Sequence, residues 1–306
     1  MPDSSDQPTI VITGASGLIG TKLTKAFEAD GKRVLRAVRR EAKNDQELSW
    51  NPTTGDIDRD KLEGVDAVVH LAGAGIADRR WSESYKQLIL DSRVDGTTLI
   101  AETIAGLDRK PRIFACASAI GYYGDRGNAE LEESAACGDG YLPEVCMQWE
   151  RACEKATDAG IRTINMRIGV VLSTEGGALK EMLTPFKLGG GGILGSGKQY
   201  FSWIELSDIV RAMQFIVDSD SLSGPVNLVS PNPVTNREFT KTLGRVLSRP
   251  TILPMPAFAA RLLFGEMADA LLLASTRVVP SALTAAGFSY QFGDLEPALR
   301  HILSRG

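Results

Sequence analysis

The stretch Thr9–Gly20, TIVITGASGLIG, decides how the rest of the chain reads. Thr9–Thr13 is short, apolar and β-branched, the composition of a buried strand. Gly14, Gly17 and Gly20 follow at a spacing of three and three, and Leu18 and Ile19 begin a helical pattern that runs toward Asp30 and stops at Gly31. A strand, a glycine turn and a helix in that order build a dinucleotide phosphate site. Gly14 permits the tight turn, Gly17 lets the backbone approach a pyrophosphate, and Gly20 lets the helix pack close on the strand. The start of the helix adds free N–H groups and the positive end of its dipole. Thr13, Gly14, Ser16, Gly17, Leu18, Ile19 and Gly20 are therefore assigned to the cofactor. A glycine triplet alone also describes an ordinary strand-to-helix turn; the flanking strand and helix favour the nucleotide.

Composition bounds the rest. At 306 residues the chain can bury a full core, and 43% apolar and 24% charged residues are ordinary for a globular protein. A net charge of −4 gives no electrostatic case for nucleic acid or an anionic membrane. The opening MPDSSDQP is polar and acidic, the opposite of a signal peptide. Ala257–Ser275 is the most apolar segment, but Arg261, Glu266 and Asp269 interrupt it, so it reads as a buried-face helix. Cys116, Cys137, Cys146 and Cys153 include no C-x-x-C pair, which with the polar start suggests a reduced, cytoplasmic setting. His70 and His301 are far apart, so no metal site is expected. The oligomeric state, monomer or homodimer, stays open.

Outward from the glycine turn, Arg33–Val38 reads as the second strand and ends in Arg39 and Arg40. NAD sites place an acid after this strand to hold the ribose 2′-hydroxyl, whereas two guanidinium groups suit a 2′-phosphate. NADP is favoured over NAD, the alternative being a solvated basic strand end. Glu47–Trp50 is a short third strand closed by Asn51-Pro52. Asp66–Leu71 is an apolar strand ending in Ala72-Gly73-Ala74-Gly75, which puts Leu71, Ala72 and Gly73 at the ligand crevice and packs His70 inside. Ile76–Trp81 adds arginines, Arg80 among them, and Trp81; these either bind an anionic substrate or cap the next helix. That helix, Ser84–Ala105, carries Arg93, which joins the cofactor set. Arg112–Ala117 is a strand with Ser118 at its end, Asp125–Gly140 a loop over the site, Tyr141–Ala159 a helix and Arg162–Leu172 a strand. Beyond it the glycines at 189–192, 195 and 197 predict a mobile loop. Leu206–Val217 is helical, Val226–Val229 makes a seventh strand, Thr235–Leu247 is helical, and Pro250–Gly306 is mostly so. The expected fold is α/β: a Rossmann-like, doubly wound, mostly parallel seven-stranded sheet with a smaller, mainly helical C-terminal substrate region. The dinucleotide-binding part spans 1–172, with 206–230 returning to it, and 173–306 forms the substrate region.

TGASGLIG, the Asp66–Gly73 strand end, Gly96-Thr97, and Ser118 with Tyr123-Gly124 resemble the extended short-chain dehydrogenase/reductase superfamily. RRW at 79–81, SAIGYYG at 118–124, Trp149-Glu150, SWIE at 202–205, PNPVTNREF at 231–239 and the Gly265–Leu283 stretch narrow the resemblance. They are similar to YfcH-type NAD(P)-dependent epimerase-family proteins and their C-terminal domain of unknown function. The resemblance implies an NADP-binding fold acting on a small molecule. Ordinary superfamily members carry Tyr and, four residues later, Lys, the Lys lowering the Tyr pKa. No tyrosine here has Lys at that distance: Tyr122 has Arg126, Tyr141 has Val145, Tyr200 has Ile204. Superfamily register places Cys146 at the Tyr position and Glu150 at the Lys position, so either handles the proton, or Cys146 merely packs. Ser118 matches the serine that bonds a substrate oxygen. Tyr122 and Tyr123 are candidate acids, Arg167 a candidate for a substrate phosphate or carboxylate, and Gln199 and Trp203 candidate pocket residues. Where relatives often have His, this chain has Glu205. The function implied is an atypical NADP-dependent oxidoreductase or nucleotide-sugar-type epimerase. The alternative is an NADP(H)-binding sensor or scaffold that has lost catalysis.

Overall fold

The computed structural model describes residues 7–304, so the acidic start, up to residue 6, lies outside the described residues. Thr9–Thr13 forms β1 and Leu18–Ala29 forms α1. Four strands follow: β2 (Arg33–Val38), β3 (Glu47–Asn51), β4 (Asp56–Ile57) and β5 (Ala67–His70). Next come α2 (Glu83–Ala105), β6 (Ile113–Ala119), the short β7 (Glu130–Leu131), α3 (Tyr141–Arg151), α4 (Glu154–Asp158), β8 (Arg162–Ile168) and β9 (Val170–Leu172). The second half holds α5 (Gly177–Lys187), β10 (Tyr200–Phe201), β11 (Trp203–Glu205), α6 (Leu206–Asp218) and β12 (Gly224–Leu228). It continues with β13 (Val234–Thr235), α7 (Asn236–Leu247), α8 (Ala257–Phe264), β14 (Arg277–Val278), α9 (Ser281–Ala285) and α10 (Leu295–Ser304).

The main sheet has the order β12-β8-β6-β5-β1-β2-β3-β4. The seven strands expected from the sequence run parallel. The sheet has eight because β4 adds an antiparallel edge, Trp50 opposite Ile57. Two residues after a turn with Gly55 at φ +77° carry no apolar run from which a strand can be read. Both faces of the sheet are covered, which is why its strands are apolar throughout rather than alternating. Ile10 and Ile12 pack with Leu23 and Phe27 of α1 and with Ile209 and Met213 of α6. Val11 points the other way, into a cluster with Ile100 and Ile104 of α2, Trp149 of α3 and Ala156 of α4. A third cluster joins α5, α7 and α10 through Leu183, Leu243 and Leu299. The fully buried Asp208 of α6 accepts the N–H groups of Gln291 (3.0 Å) and Phe292 (2.8 Å), tying the C-terminal region to the sheet.

Three readings change in detail. Tyr141–Ala159 is two helices, α3 and α4. Arg162–Leu172 breaks at Gly169, where a Cβ would meet Val229 Cγ1 at 2.6 Å; β9 leaves the main sheet there to pair with β11. Ala257–Ser275 is not a single buried-face helix. α8 stops at Gly265 (φ +63°), a π-helical turn follows over Ala268–Leu273, and α8 buries only Ala260 while Phe258 and Leu262 stand 72% and 75% exposed. The glycine tract is irregular, as expected, but it is tied down: Gly195 N–H donates to Met255 O and Met255 N–H to Ile193 O, both at 2.9 Å. Among the described residues no helix is long and apolar enough to cross a membrane, and no cluster of metal ligands is present.

Candidate functional site

From β1 the chain builds outward to β2 and β3 on one side and to β5, β6, β8 and β12 on the other, so the strand order reverses between β1 and β5. The carboxyl ends of strands at such a reversal form the ligand crevice. Thr13 and His70 end the two strands there, paired in register. Gly14 follows at φ +66°, and a Cβ on it would lie 2.9 Å from Leu71 C. Gly17 N–H donates to Gly14 O at 3.0 Å. A Cβ at Gly20 would lie 2.2 Å from Gly14 O, so only glycine lets α1 sit this close to the turn. Ser16 and Gly17 are exposed, and α1 begins with no side chain capping its first N–H groups. Leu18 and Ile19 open the helix and pack toward the core. This backbone cradle, free of side chains and ending in unclaimed N–H donors, fits a pyrophosphate.

A hydroxyl sets the opposite wall. Thr13 Oγ1 accepts the N–H groups of Leu71 (3.1 Å) and Ala72 (3.2 Å) and lies 2.7 Å from His70 Nδ1. Both lone pairs are used by the amides, so the hydroxyl proton goes to Nδ1 and His70 carries its own proton on Nε2. Nothing local in the sequence marks His70 for this role, because Thr13 lies on a different strand. Burial pushes the His70 pKa down to about 3. The unfolded chain takes up that proton near pH 6.5 and the folded one does not. Stability is therefore full above about pH 6.5 and falls below it, by up to about 1.4 kcal/mol per pH unit. Urea midpoints of the wild type and His70→Gln from pH 7.5 to 5 check this: the variant's profile is expected to be flatter, and parallel profiles discard the assignment.

At the end of β2 the two arginines separate. Arg40 is not a free cation for a 2′-phosphate: it pairs with Glu47 through two bonds of 2.7 and 2.8 Å, and Lys43 N–H donates to the same carboxylate. These contacts hold Glu47 down at about 2. Arg39 is exposed and makes no ion pair among the described residues. Beyond β5, Ser82 caps α2 by accepting Tyr85 N–H, so neither arginine of the Ile76–Trp81 segment caps it. Arg80 is exposed beside Gly265; Trp81 donates to Ile76 O and stands edge-on to Tyr141. Gly73 packs against the Arg93 side chain.

A closed polar cluster forms where β6, β8 and α3 meet. Ser118 Oγ donates to Glu150 Oε1 at 2.7 Å. Arg167 of β8 grips both oxygens of the same carboxylate, at 2.8 and 2.9 Å. Its Nη1 reaches Tyr123 Oη (3.0 Å) and Glu133 O (3.1 Å), and its Cζ lies 3.5 Å from the Tyr122 ring centroid. Burial works against the Arg167 charge, but Glu150 outweighs it and holds the guanidinium firmly protonated. Tyr123 donates onward to Asn227 Oδ1 at 2.7 Å. Several expectations are corrected here. Arg167 is committed to Glu150 and does not wait for a substrate anion. Glu150 is an ion-paired acceptor, not a free base. Tyr123 is fully buried, and burial first of all raises its pKa. Cys146 is buried, and desolvation with Glu150 nearby pushes its thiol up to about 12, so it supplies no thiolate at neutral pH. Tyr122, over the Arg167 plane, is the phenol of the pair that keeps some exposure.

Gln199 and Trp203 are packing residues rather than pocket walls. Gln199 Nε2 donates to Leu194 O and Leu272 O, and Trp203, wholly buried, donates to Asn232 O. Glu205 caps α6 by accepting Ser207 N–H and Asp208 N–H. Asn227 and Glu133 went unread in the sequence. An asparagine inside the apolar β12 run was the available signal for the first; nothing marks Glu133, in a polar loop, as the acceptor of Asn227 N–H (3.0 Å) and Ala282 N–H (3.2 Å).

The model of the NAD dependent epimerase/dehydratase family matches residues 10–228, and that of a domain of unknown function, DUF1731, matches residues 255–302. An epimerase family protein of Mycobacterium bovis is 46% identical over 97% of this chain and 98% of its own. The chloroplastic epimerase family protein SDR39U1 homolog of Arabidopsis thaliana is 36% identical over 97% of this chain and 87% of its own. Human epimerase family protein SDR39U1, solved with NADPH, superposes with a TM-score of 0.89 at 32% identity, covering 97% of this chain and 99% of its own.

Proposed function

Since the chain belongs to the NAD dependent epimerase/dehydratase family, we propose that it binds NADP(H) at the β1/β5 reversal and exchanges hydride with a small-molecule substrate. The carrying observation is the Gly14–Gly20 cradle, in which a Cβ at position 20 would lie 2.2 Å from Gly14 O. Human SDR39U1, similar over nearly the whole chain and solved with NADPH, supports the choice of cofactor. The backbone of residues 14–20 and the start of α1 hold the pyrophosphate, Leu71–Gly73 line the crevice, and Arg39 meets the 2′-phosphate. Bound there, the nicotinamide supplies or accepts the hydride. Ser118, tethered to Glu150, orients polar groups at the end of β6, and Tyr122, half-buried over the Arg167 guanidinium, is the phenol assigned to the substrate.

A direct titration with NADPH and NADH tests the reading. NADPH is expected to bind at least tenfold more tightly, since one charge-assisted contact is worth roughly 1.5–3 kcal/mol. Arg39→Ala is expected to erase most of that preference while leaving NADH unchanged. Arg40→Ala should alter selectivity less, because its guanidinium already serves Glu47. Equal loss of NADPH binding in both variants refutes the division of roles. A second reading, a sensor or scaffold that keeps the cofactor without turnover, is favoured by one observation: Glu150 and Cys146 are both unfit as mobile proton carriers. NADPH oxidation across a panel of carbonyl and sugar-nucleotide compounds separates the two.

A further inference from the structure

Eight large apolar side chains stand exposed among the described residues, and six of them fall in one stretch: Ile252, Leu253, Phe258, Leu262, Leu263 and Leu271. Phe258 and Leu262 are four apart on α8 and share one stripe, with Leu263 on its flank. Ala260, on the opposite face, is the residue α8 buries. A surface helix ordinarily turns its polar residues outward, but in α8 Arg261 is the single polar side chain. α8 packs on the π-helical turn that carries Leu271, and Ile252 and Leu253 lead into α8 beside the glycine tract, where Leu194 bridges to Met255. The stretch is held in place. Gln199 Nε2 donates to Leu272 O at 3.2 Å, and Lys86 Nζ donates to Glu266 at 3.1 Å. The apolar side chains are thus presented on an anchored surface.

We propose that this face is the contact between two copies of the chain, related by a two-fold axis across α8. Area is the first argument. At their exposures of 36–76% the six side chains present roughly 600–700 Å², above the ~300–600 Å² of the largest apolar patch on a typical monomer and most of the ~800 Å² each partner gives to a standard interface. Charge is the second. The exposed Arg261 and Asp269 pair with each other, Nη2 to Oδ1 at 2.9 Å, Glu266 pairs with Lys86, and Arg80 stands beside Gly265. A rim of both signs suits a second copy of itself, whereas an anionic lipid surface asks for an excess of Lys and Arg on the polar face. A two-fold axis sets the same patch against itself. It brings the Arg261–Asp269 pair of one copy against that of the other, antiparallel, so that unlike charges face across the contact. The cofactor reading plays no part in this inference.

Sedimentation velocity on the full chain, without cofactor, from about 1 to about 100 µM tests this. The wild type is expected to run at twice the chain mass, with a dissociation constant on the order of 1 µM or below. Leu262→Glu and Phe258→Glu are each expected to raise that constant at least about thirtyfold, the loss of a central interface residue. Both side chains stand in water in the single chain, so the variants fold, and unchanged circular dichroism checks it. The charge arrangement has its own test. Arg261→Glu alone and Asp269→Arg alone are expected to weaken the dimer about tenfold, through like charges facing across the axis, and an equimolar mixture of the two to return within about threefold of wild type. A wild type that stays monomeric at about 100 µM overturns the proposal. So does a dimer that survives in both glutamate variants, which would place the contact elsewhere. A mixture no tighter than either charge variant alone overturns the two-fold docking. A monomer that floats with phosphatidylcholine/phosphatidylserine vesicles, and loses them in Leu262→Glu, gives the face to lipid and overturns the proposal equally.

Discussion

Arg167→Met is expected to cost about 3–5 kcal/mol of folding stability, the loss seen when one partner of a buried pair is removed. The side chains of Arg167 and Glu150 are 4% and 12% exposed, so water cannot take over for the missing guanidinium. Three consequences add up in the variant. Glu150 keeps the Ser118 hydroxyl as donor but loses two charge-assisted bonds. Tyr123 Oη loses a donor inside a fully buried site, and Glu133 O loses another. Met fills much of the volume, so the cost is electrostatic rather than a cavity. The double variant Arg167→Met/Glu150→Leu is expected to recover most of the loss, since apolar replacement of both ions is often neutral. Denaturant unfolding of the two single variants and the double gives the coupling directly. A single-variant cost under about 1 kcal/mol would mean that the cluster is wet and its geometry incidental.

That cluster also shows why some of the site was legible and some was not. Thr9–Gly20 is local: strand, turn and helix are contiguous, each glycine answers to a neighbour within the motif or to the β5 end, and the reading carries over to the structure. The end of β5 at His70, just before Leu71–Gly73, is legible as a strand end for the same reason. Arg40 is not, because its role depends on Glu47, seven residues away on a neighbouring strand, whose buried carboxylate claims both its terminal nitrogens. Arg167 and Glu150 each look like a functional charge in isolation; only the pairing of β8 with β6 and the packing of α3 on β6 bring Arg167 and the Ser118 hydroxyl to one Glu150 carboxylate. Tyr122 and Tyr123 cannot be told apart by sequence, since the 3₁₀ turn over Ile120–Tyr123 sends one into the core and leaves the other at its edge. The edge strand β4 is missed because two residues hold no period. The apolar Ala257–Phe264 run is read as buried because apolarity argues for burial only in one direction.

Gly20→Ala is expected to abolish measurable NADPH binding, a loss of two orders of magnitude or more, or about 3 kcal/mol. In an ordinary helix the same change stabilises by roughly 0.5–1 kcal/mol, because alanine is the better helix former. Here the added Cβ would lie 2.2 Å from Gly14 O and 2.8 Å from Ala15 Cα, and both neighbours are backbone. No rotamer change relieves such a contact, so the turn itself must open, which carries Gly14 away from Leu71 and moves the first N–H groups of α1 off the phosphate position. Overpacking of this kind costs about 1–3 kcal/mol, so folding survives and the binding loss can be measured on a folded protein. Gly17→Ala is the internal comparison: its Cβ would lie 3.2 Å from Gly14 O, close enough to strain the turn but within reach of a small adjustment. The expected order of NADPH affinity is wild type, Gly17→Ala, then Gly20→Ala, with circular dichroism unchanged across the three. Wild-type affinity in Gly20→Ala would place the cofactor away from this turn. That would remove the basis for Arg39 as the 2′-phosphate contact, because only a dinucleotide running from the Gly14–Gly20 cradle to the end of β2 brings the two together.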